Sequence, residues 1–122
     1  MRNILVIDDE ESIVIMITMA LARYGFNVEI AADGIEGINK FDEGCFDLII
    51  TDIRMPGING NGVVQHVRNS DKQFTPVVGI SGTPWLLEDA DFDAVLQKPF
   101  TIKTLVDTVY NLMTATLCSI AS

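Results

Sequence analysis

The chain has 122 residues, 48% of them hydrophobic and 20% charged, which describes one globular domain with a substantial core and no room for a second. A net charge of -9 with only eight Lys and Arg excludes a surface built to hold phosphate backbones, so no direct nucleic acid binding is expected. There is no signal-like start and no apolar run of ~20 residues to span a bilayer, and Cys45 and Cys118 stand far apart. The expectation is a cytoplasmic chain with reduced thiols and no membrane insertion.

In chain order, "NILVID" is a short apolar run with β-branched residues and reads as a buried strand. "EESIVIMITMALARY" repeats at helical spacing through Ile13, Met16, Ile17, Ala20 and Tyr24, and Gly25 ends it. "NVEIAA" is a second strand and "DGIEGINKFDEG" a helix weakened by Gly37. "FDLIIT" is the third strand, and "GNGVVQHVRN" a helix with Val63, Val64 and Val67 inward. "TPVVGIS" is the fourth strand, entered by Pro76, where a missing N–H is tolerable. "DAVLQ" is the fifth, and a final helix from about Thr101 turns Ile102, Leu105, Val106, Val109, Leu112 and Met113 to one face. Strands and helices alternate, and the strands are almost wholly apolar. The fold class expected is therefore α/β, a doubly wound five-stranded parallel sheet covered by helices on both faces.

Ligands of such sheets bind at the carboxyl ends of the strands. Here the first strand ends in Asp8 and Asp9, the third in Asp52, the fourth in Ser81 and the fifth in Lys98. A lysine at a strand end is ordinarily solvated, and a serine before Gly82 is ordinarily a turn residue; their joint occurrence on one edge with three acids is what changes the reading. Carboxylates brought together resist ionising unless a cation joins them, and an oxygen-only set suits Mg2+ better than zinc. His66 lies on a helix away from this edge. A fixed ammonium beside a metal and a carboxylate neutralises phosphoryl oxygens, so Asp52 can serve as the nucleophile that takes a phosphoryl group, with Ser81 bonding a phosphoryl oxygen.

The combination "ILVIDDE", "DLIITDIRMPG", "VVGISG" and "LQKPF", spread over essentially the whole chain, resembles the receiver domain of bacterial two-component response regulators, of the chemotaxis-regulator type. The resemblance implies one receiver domain over residues 1–122 with a flavodoxin-like fold and Mg2+ as cofactor. It implies direct metal ligation by Asp9 and Asp52, mostly water-mediated ligation by Asp8, and a further ligand in the backbone carbonyl of Arg54. It also implies phosphorylation at Asp52, a switch hydroxyl on Ser81, a phosphoryl partner in Lys98 with a cis bond to Pro99, and Arg54 and Thr83 flanking the hydrolytic water. The implied function is a phosphoacceptor signalling domain, not an enzyme. Its implied partners are a sensor histidine kinase or histidine phosphotransfer protein, and a downstream output protein or domain.

The chain departs from the family's pattern in three places. "GTPWLLEDADFDAVLQ" is several residues shorter than usual, so the helix between the fourth and fifth strands is expected to be shortened or irregular. Val95 stands where many receivers carry an aromatic ring. In the first helix Ile15, Met19 and Ala22 fall on the side away from the expected core, a pattern that suits docking of the phosphodonor. An aspartyl-phosphate phosphatase needs an Asp-x-Asp pattern that Asp52, Ile53 and Arg54 do not supply, and "DDEES" would repel the phosphate of a flavin. The alternative kept is a receiver-like interaction module that works without phosphorylation.

Overall fold

The computed structural model describes residues 2–82 and 91–121, with side chains as far as residue 114. The elements are β1 (Asn3–Ile7), α1 (Glu11–Arg23), β2 (Asn27–Ala31), α2 (Gly34–Glu43), β3 (Leu48–Asp52), α3 (Gly60–Arg68), β4 (Val77–Ser81), β5 (Ala94–Gln97) and α4 (Ile102–Ala121). The five strands form one parallel sheet in the order β2-β1-β3-β4-β5. The expected shortened helix between β4 and β5 falls on residues 83–90, outside the described residues.

Alternate residues of a strand point to opposite faces, so each central strand feeds two cores. Ile4, Val6, Leu48, Ile50, Val78 and Ile80 pack under α1 and α4 against Val14, Ile17, Leu21, Leu105, Val109 and Met113. Leu5, Ile7, Ile49 and Val77 pack under α2 and α3 against Phe41, Val63, Val64 and Val67. Each fully buried aliphatic side chain contributes about 1.5–3 kcal/mol of transfer free energy, which makes these two layers the main support of the sheet.

Three expectations need correction. The first concerns the buried residues of α1: Ile17 and Ala20 are buried and Ile13 and Met16 pack partly covered on the core, but Val14 and Leu21 are buried as well and Tyr24, at its end, is 52% exposed. The helix stops there because Gly25, at φ 86°, reverses the chain, and the Phe26 and Gly25 amides donate back to the Leu21 and Ala22 carbonyls. The second concerns α4, where Ile102 is exposed while Leu105, Val106, Val109 and Met113 are buried. The third concerns the strands: β1, β3 and β4 are covered on both faces, whereas β2, at the edge, has only Ala31 fully buried. Gly37, a weak helix former, has a packing reason, since a Cβ there would stand 2.4 Å from Cδ1 of Ile7.

Among the described residues, no helix is long and apolar enough to cross a membrane.

Candidate functional site

The parallel register brings the carboxyl ends of β1, β3, β4 and β5 to one edge. Asp52 is the last residue of β3, and there the chain must leave the sheet. The Ile53 amide still donates to Ile80, the Arg54 amide turns back to Asp52 Oδ1 at 3.3 Å, and Gly57 adopts φ 76°. Gly60 then opens α3 directly against the strand tip: a Cβ there would lie 2.6 Å from the Asp52 carbonyl oxygen. The Met55-Pro56-Gly57 run thus turns the chain so that α3 packs against the end of β3, holding the Asp52 backbone in place.

Just past β1, Asp8 is 3% exposed, and its Oδ1 accepts the Glu10 amide at 2.9 Å. Its Oδ2 is buried with no hydrogen-bond partner. Just past β5, the Lys98 amide donates to the Ser81 carbonyl at 2.8 Å, which fixes the lysine beside the β4 tip, and the Lys98-Pro99 bond is cis, as expected. The Lys98 ammonium reaches Glu10 Oε1 at 3.1 Å and Asp52 Oδ2 at 3.4 Å.

Burial is the largest influence on Asp8 and pushes its carboxyl up; the charges of Asp52 and Glu10 add to this, while the Glu10 amide and Lys98 oppose it, leaving it at about 6. Burial alone would push the Lys98 ammonium down, but the bond to Glu10 and the charges of Asp52, Asp8 and Glu10 outweigh it and hold the group above its ordinary value. This edge therefore has an excess of negative charge that one lysine does not neutralise.

Of the residues singled out from sequence, Asp8, Asp52, Ser81 and Lys98 meet at this edge; Ser81 is buried at the β4 tip. Asp9 and Arg54 are exposed on the adjoining loops, and Thr83 lies outside the described residues. One carboxylate oxygen of each of Asp8, Glu10 and Asp52 lies within 4.8 Å of the others, so Glu10 joins the two buried acids in a group of three. Glu10 was not among the candidates read from sequence, although it stands in the same acidic run. Val95 is half-buried on β5 opposite Gly79. His66 is remote from the edge and binds Asp42 at 2.7 Å.

The response regulator receiver domain family matches residues 4–110. The transcriptional regulatory protein TrcR of Mycobacterium tuberculosis is 32% identical over 109 residues, 85% of this chain and 42% of its own length. The chemotaxis response regulator CheY4 of Vibrio cholerae superposes with a TM-score of 0.84 at 32% identity, covering 92% of this chain and 98% of that one. The response regulator TrrA of Thermotoga maritima, solved in complex with Mg2+-BeF, does so with a TM-score of 0.83 at 31% identity, over 92% and 99% of the two chains. The chain spans about half or less of the length of curated relatives such as TrcR, PhoP of Bacillus subtilis and ArlR of Staphylococcus aureus. A doubly wound sheet whose strand tips gather two buried acids, a hydroxyl and a lysine thus coincides with a family match over nearly the whole chain, and the chain belongs to the response regulator receiver domain family of two-component signalling.

Proposed function

We propose that the domain takes a phosphoryl group from the histidine of a sensor kinase or phosphotransfer protein onto Asp52 in a Mg2+-dependent reaction. The modification then shifts the population of a surface read by a downstream output protein or domain. The observation that carries this reading is Asp52 itself: a carboxylate 4% exposed at a strand tip, 3.4 Å from a lysine ammonium and beside a second buried acid.

A carboxylate oxygen of Asp52 attacks phosphorus and forms the new P–O bond. The P–N bond to the donor histidine breaks, and its electron pair stays on the imidazole nitrogen. Lys98 donates to a phosphoryl oxygen throughout, and the hydroxyl of Ser81, from the neighbouring strand tip, bonds another once transfer is complete. The residues fit a hard cation, because the donors are all oxygens and Asp8 Oδ2 is buried without a partner. Asp8 and Asp52, which lie together, with Asp9 and the Arg54 carbonyl from the adjoining loops, would hold it, and when bound Mg2+ offsets the negative charge of the carboxylates and of the phosphoryl group. Asp8 must be ionised to serve.

The phosphodonor docks along α1. Ile15 and Met19 are exposed, as the sequence pattern suggests. A recess of about 400 Å3 lined by Ile13, Met16, Lys98, Pro99 and Phe100 opens beside the acceptor edge. It shares Met16 with a second recess of about 430 Å3 that Met19, Arg23 and Tyr24 help to line.

The test is the intact mass after incubation with a small acyl-phosphate donor, with and without Mg2+, beside Asp52→Asn. A single Mg2+-dependent phosphoryl adduct absent from the variant is expected. No adduct from the small donor or from a cognate kinase would overturn the reading in favour of the phosphorylation-independent module. Unchanged transfer from the kinase to an Ile15→Asp, Met19→Asp variant would remove the docking role of α1.

A further inference from the structure

Glu10 occupies the N-cap position of α1, but its side chain makes no cap hydrogen bond, and glutamate is not among the residues that favour this position. Asp8 Oδ1 instead anchors the Glu10 amide at 2.9 Å, which leaves the Glu10 carboxylate available for another partner. That partner is Lys98: the 3.1 Å contact to Glu10 is shorter than the 3.4 Å contact from the same nitrogen to Asp52. Two carboxylates from different elements thus share one ammonium, and among the described residues neither has a second basic partner.

We propose that Glu10 is the resting counter-ion of Lys98, competing with the phosphoryl group at Asp52 for that ammonium and so limiting how readily the site takes up and keeps the group. This rests on the phosphoacceptor reading and adds to it a tuning residue that touches neither the acceptor nor the hydroxyl. Lys98 has three donors, but one ammonium cannot be centred on both Glu10 and a phosphoryl oxygen at full strength. Transfer therefore requires the lysine to give up part of its contact with Glu10. The Glu10 side chain is 54% exposed, so water replaces the lost partner and the cost of this exchange is modest.

The experiment measures the affinity for beryllofluoride, a phosphoryl analogue, at saturating Mg2+ by calorimetry in four proteins: wild type, Glu10→Gln, Lys98→Ala and the double variant. Glu10→Gln is expected to bind about two- to fivefold more tightly than wild type, the size appropriate to a half-exposed ion pair. In the Lys98→Ala background the gain should fall to less than half of that. Wild-type binding with no gain in Glu10→Gln would overturn the counter-ion role and leave the phosphoacceptor reading intact. An equal gain in both backgrounds would also overturn it, because Glu10 would then act only by repelling the analogue. Failure of the wild type to bind the analogue, together with no mass adduct, would overturn both.

Discussion

The two ends of the sheet handle charge in opposite ways. At the carboxyl ends, Asp8, Glu10 and Asp52 crowd around one ammonium, and a buried carboxylate oxygen is left without a partner. At the amino ends of β4 and β5, both terminal nitrogens of Arg68 are fully used: one donates to the Gln73 and Thr75 carbonyls, the other to the Asp91 carbonyl and to Asp93 Oδ2. Asp93 Oδ2 also accepts the Val77 amide, so α3, the entry to β4 and the entry to β5 are tied at one point. The Arg68 end is locally consistent and holds the fold; the Asp52 end carries an excess of negative charge that a bound cation would relieve. The sharpest form of this contrast is that substitutions at the two ends should change stability with opposite sign.

The largest effect is on chemistry. Asp52→Asn is expected to remove phosphoryl uptake entirely while leaving the melting temperature unchanged or raised, because one of the crowded charges is gone. A protein that lost both uptake and stability would show that the acid edge also supports the fold, and would break the comparison.

Asp8→Asn is the next largest. The Asp8 carboxyl is raised to about 6 from an ordinary 3.8, so the folded state holds its proton more tightly than the unfolded one. Asp8 therefore contributes stability that is complete below about pH 4 and is lost as the pH rises through about 6, an effect of up to about 3 kcal/mol. Without metal, Asp8→Asn should be more stable than wild type at pH 7, and its advantage should vanish near pH 4. Saturating Mg2+ should stabilise wild type above pH 6 and the variant far less. Melting curves from pH 4 to 8, with and without Mg2+, decide this; identical pH profiles for the two proteins would refute it.

Arg68→Ala should act in the other direction and cost about 1–3 kcal/mol, because it takes that donor from three carbonyls and leaves the Asp93 carboxylate with the Val77 amide but no cation at a partly buried point. Phosphoryl uptake at Asp52 should survive at temperatures where the variant is folded. Chemical denaturation beside an acyl-phosphate uptake assay checks both halves. A loss of uptake in the folded variant would mean that the two ends are coupled through the sheet.

The contrast also explains what could be read from sequence. Strand and helix alternation was legible because apolar runs of strand length are bounded by acids, Gly and Pro, and the strand-tip residues Asp8, Asp52, Ser81 and Lys98 followed from it. The outward face of α1, with Ile15, Met19 and Ala22, was legible too, but the burial of Val14 was not, because Ile13 to Ile17 are all apolar and the run does not show which of them lie deepest. The exposure of β2 was hidden as well, since Val28 and Ile30 look like core residues until the strand order puts them at an edge. The Arg68 brace carries almost no sequence signal, because three of its four acceptors are backbone carbonyls. Glu10 was visible only as one more acid in a run; the departure that could have marked it is a glutamate where a helix cap would favour Asp, Ser or Asn.

The smallest prediction tests whether any charged contact away from the acid edge would behave like Arg68. His66 on α3 meets Asp42 on α2 at 2.7 Å, and its ring packs edge-on against Phe41, so it too joins two elements. The geometry is as short as that of Arg68, but the two side chains are 36% and 49% exposed and neither supports a strand entry, so water replaces either partner at little cost. His66→Ala is therefore expected to cost about 0.5–1 kcal/mol, less than Arg68→Ala, with no change in phosphoryl uptake. If the two variants cost the same in parallel denaturation curves, contact distance alone would determine what a polar contact contributes, and the tying of two strand entries at Arg68 would not explain its role.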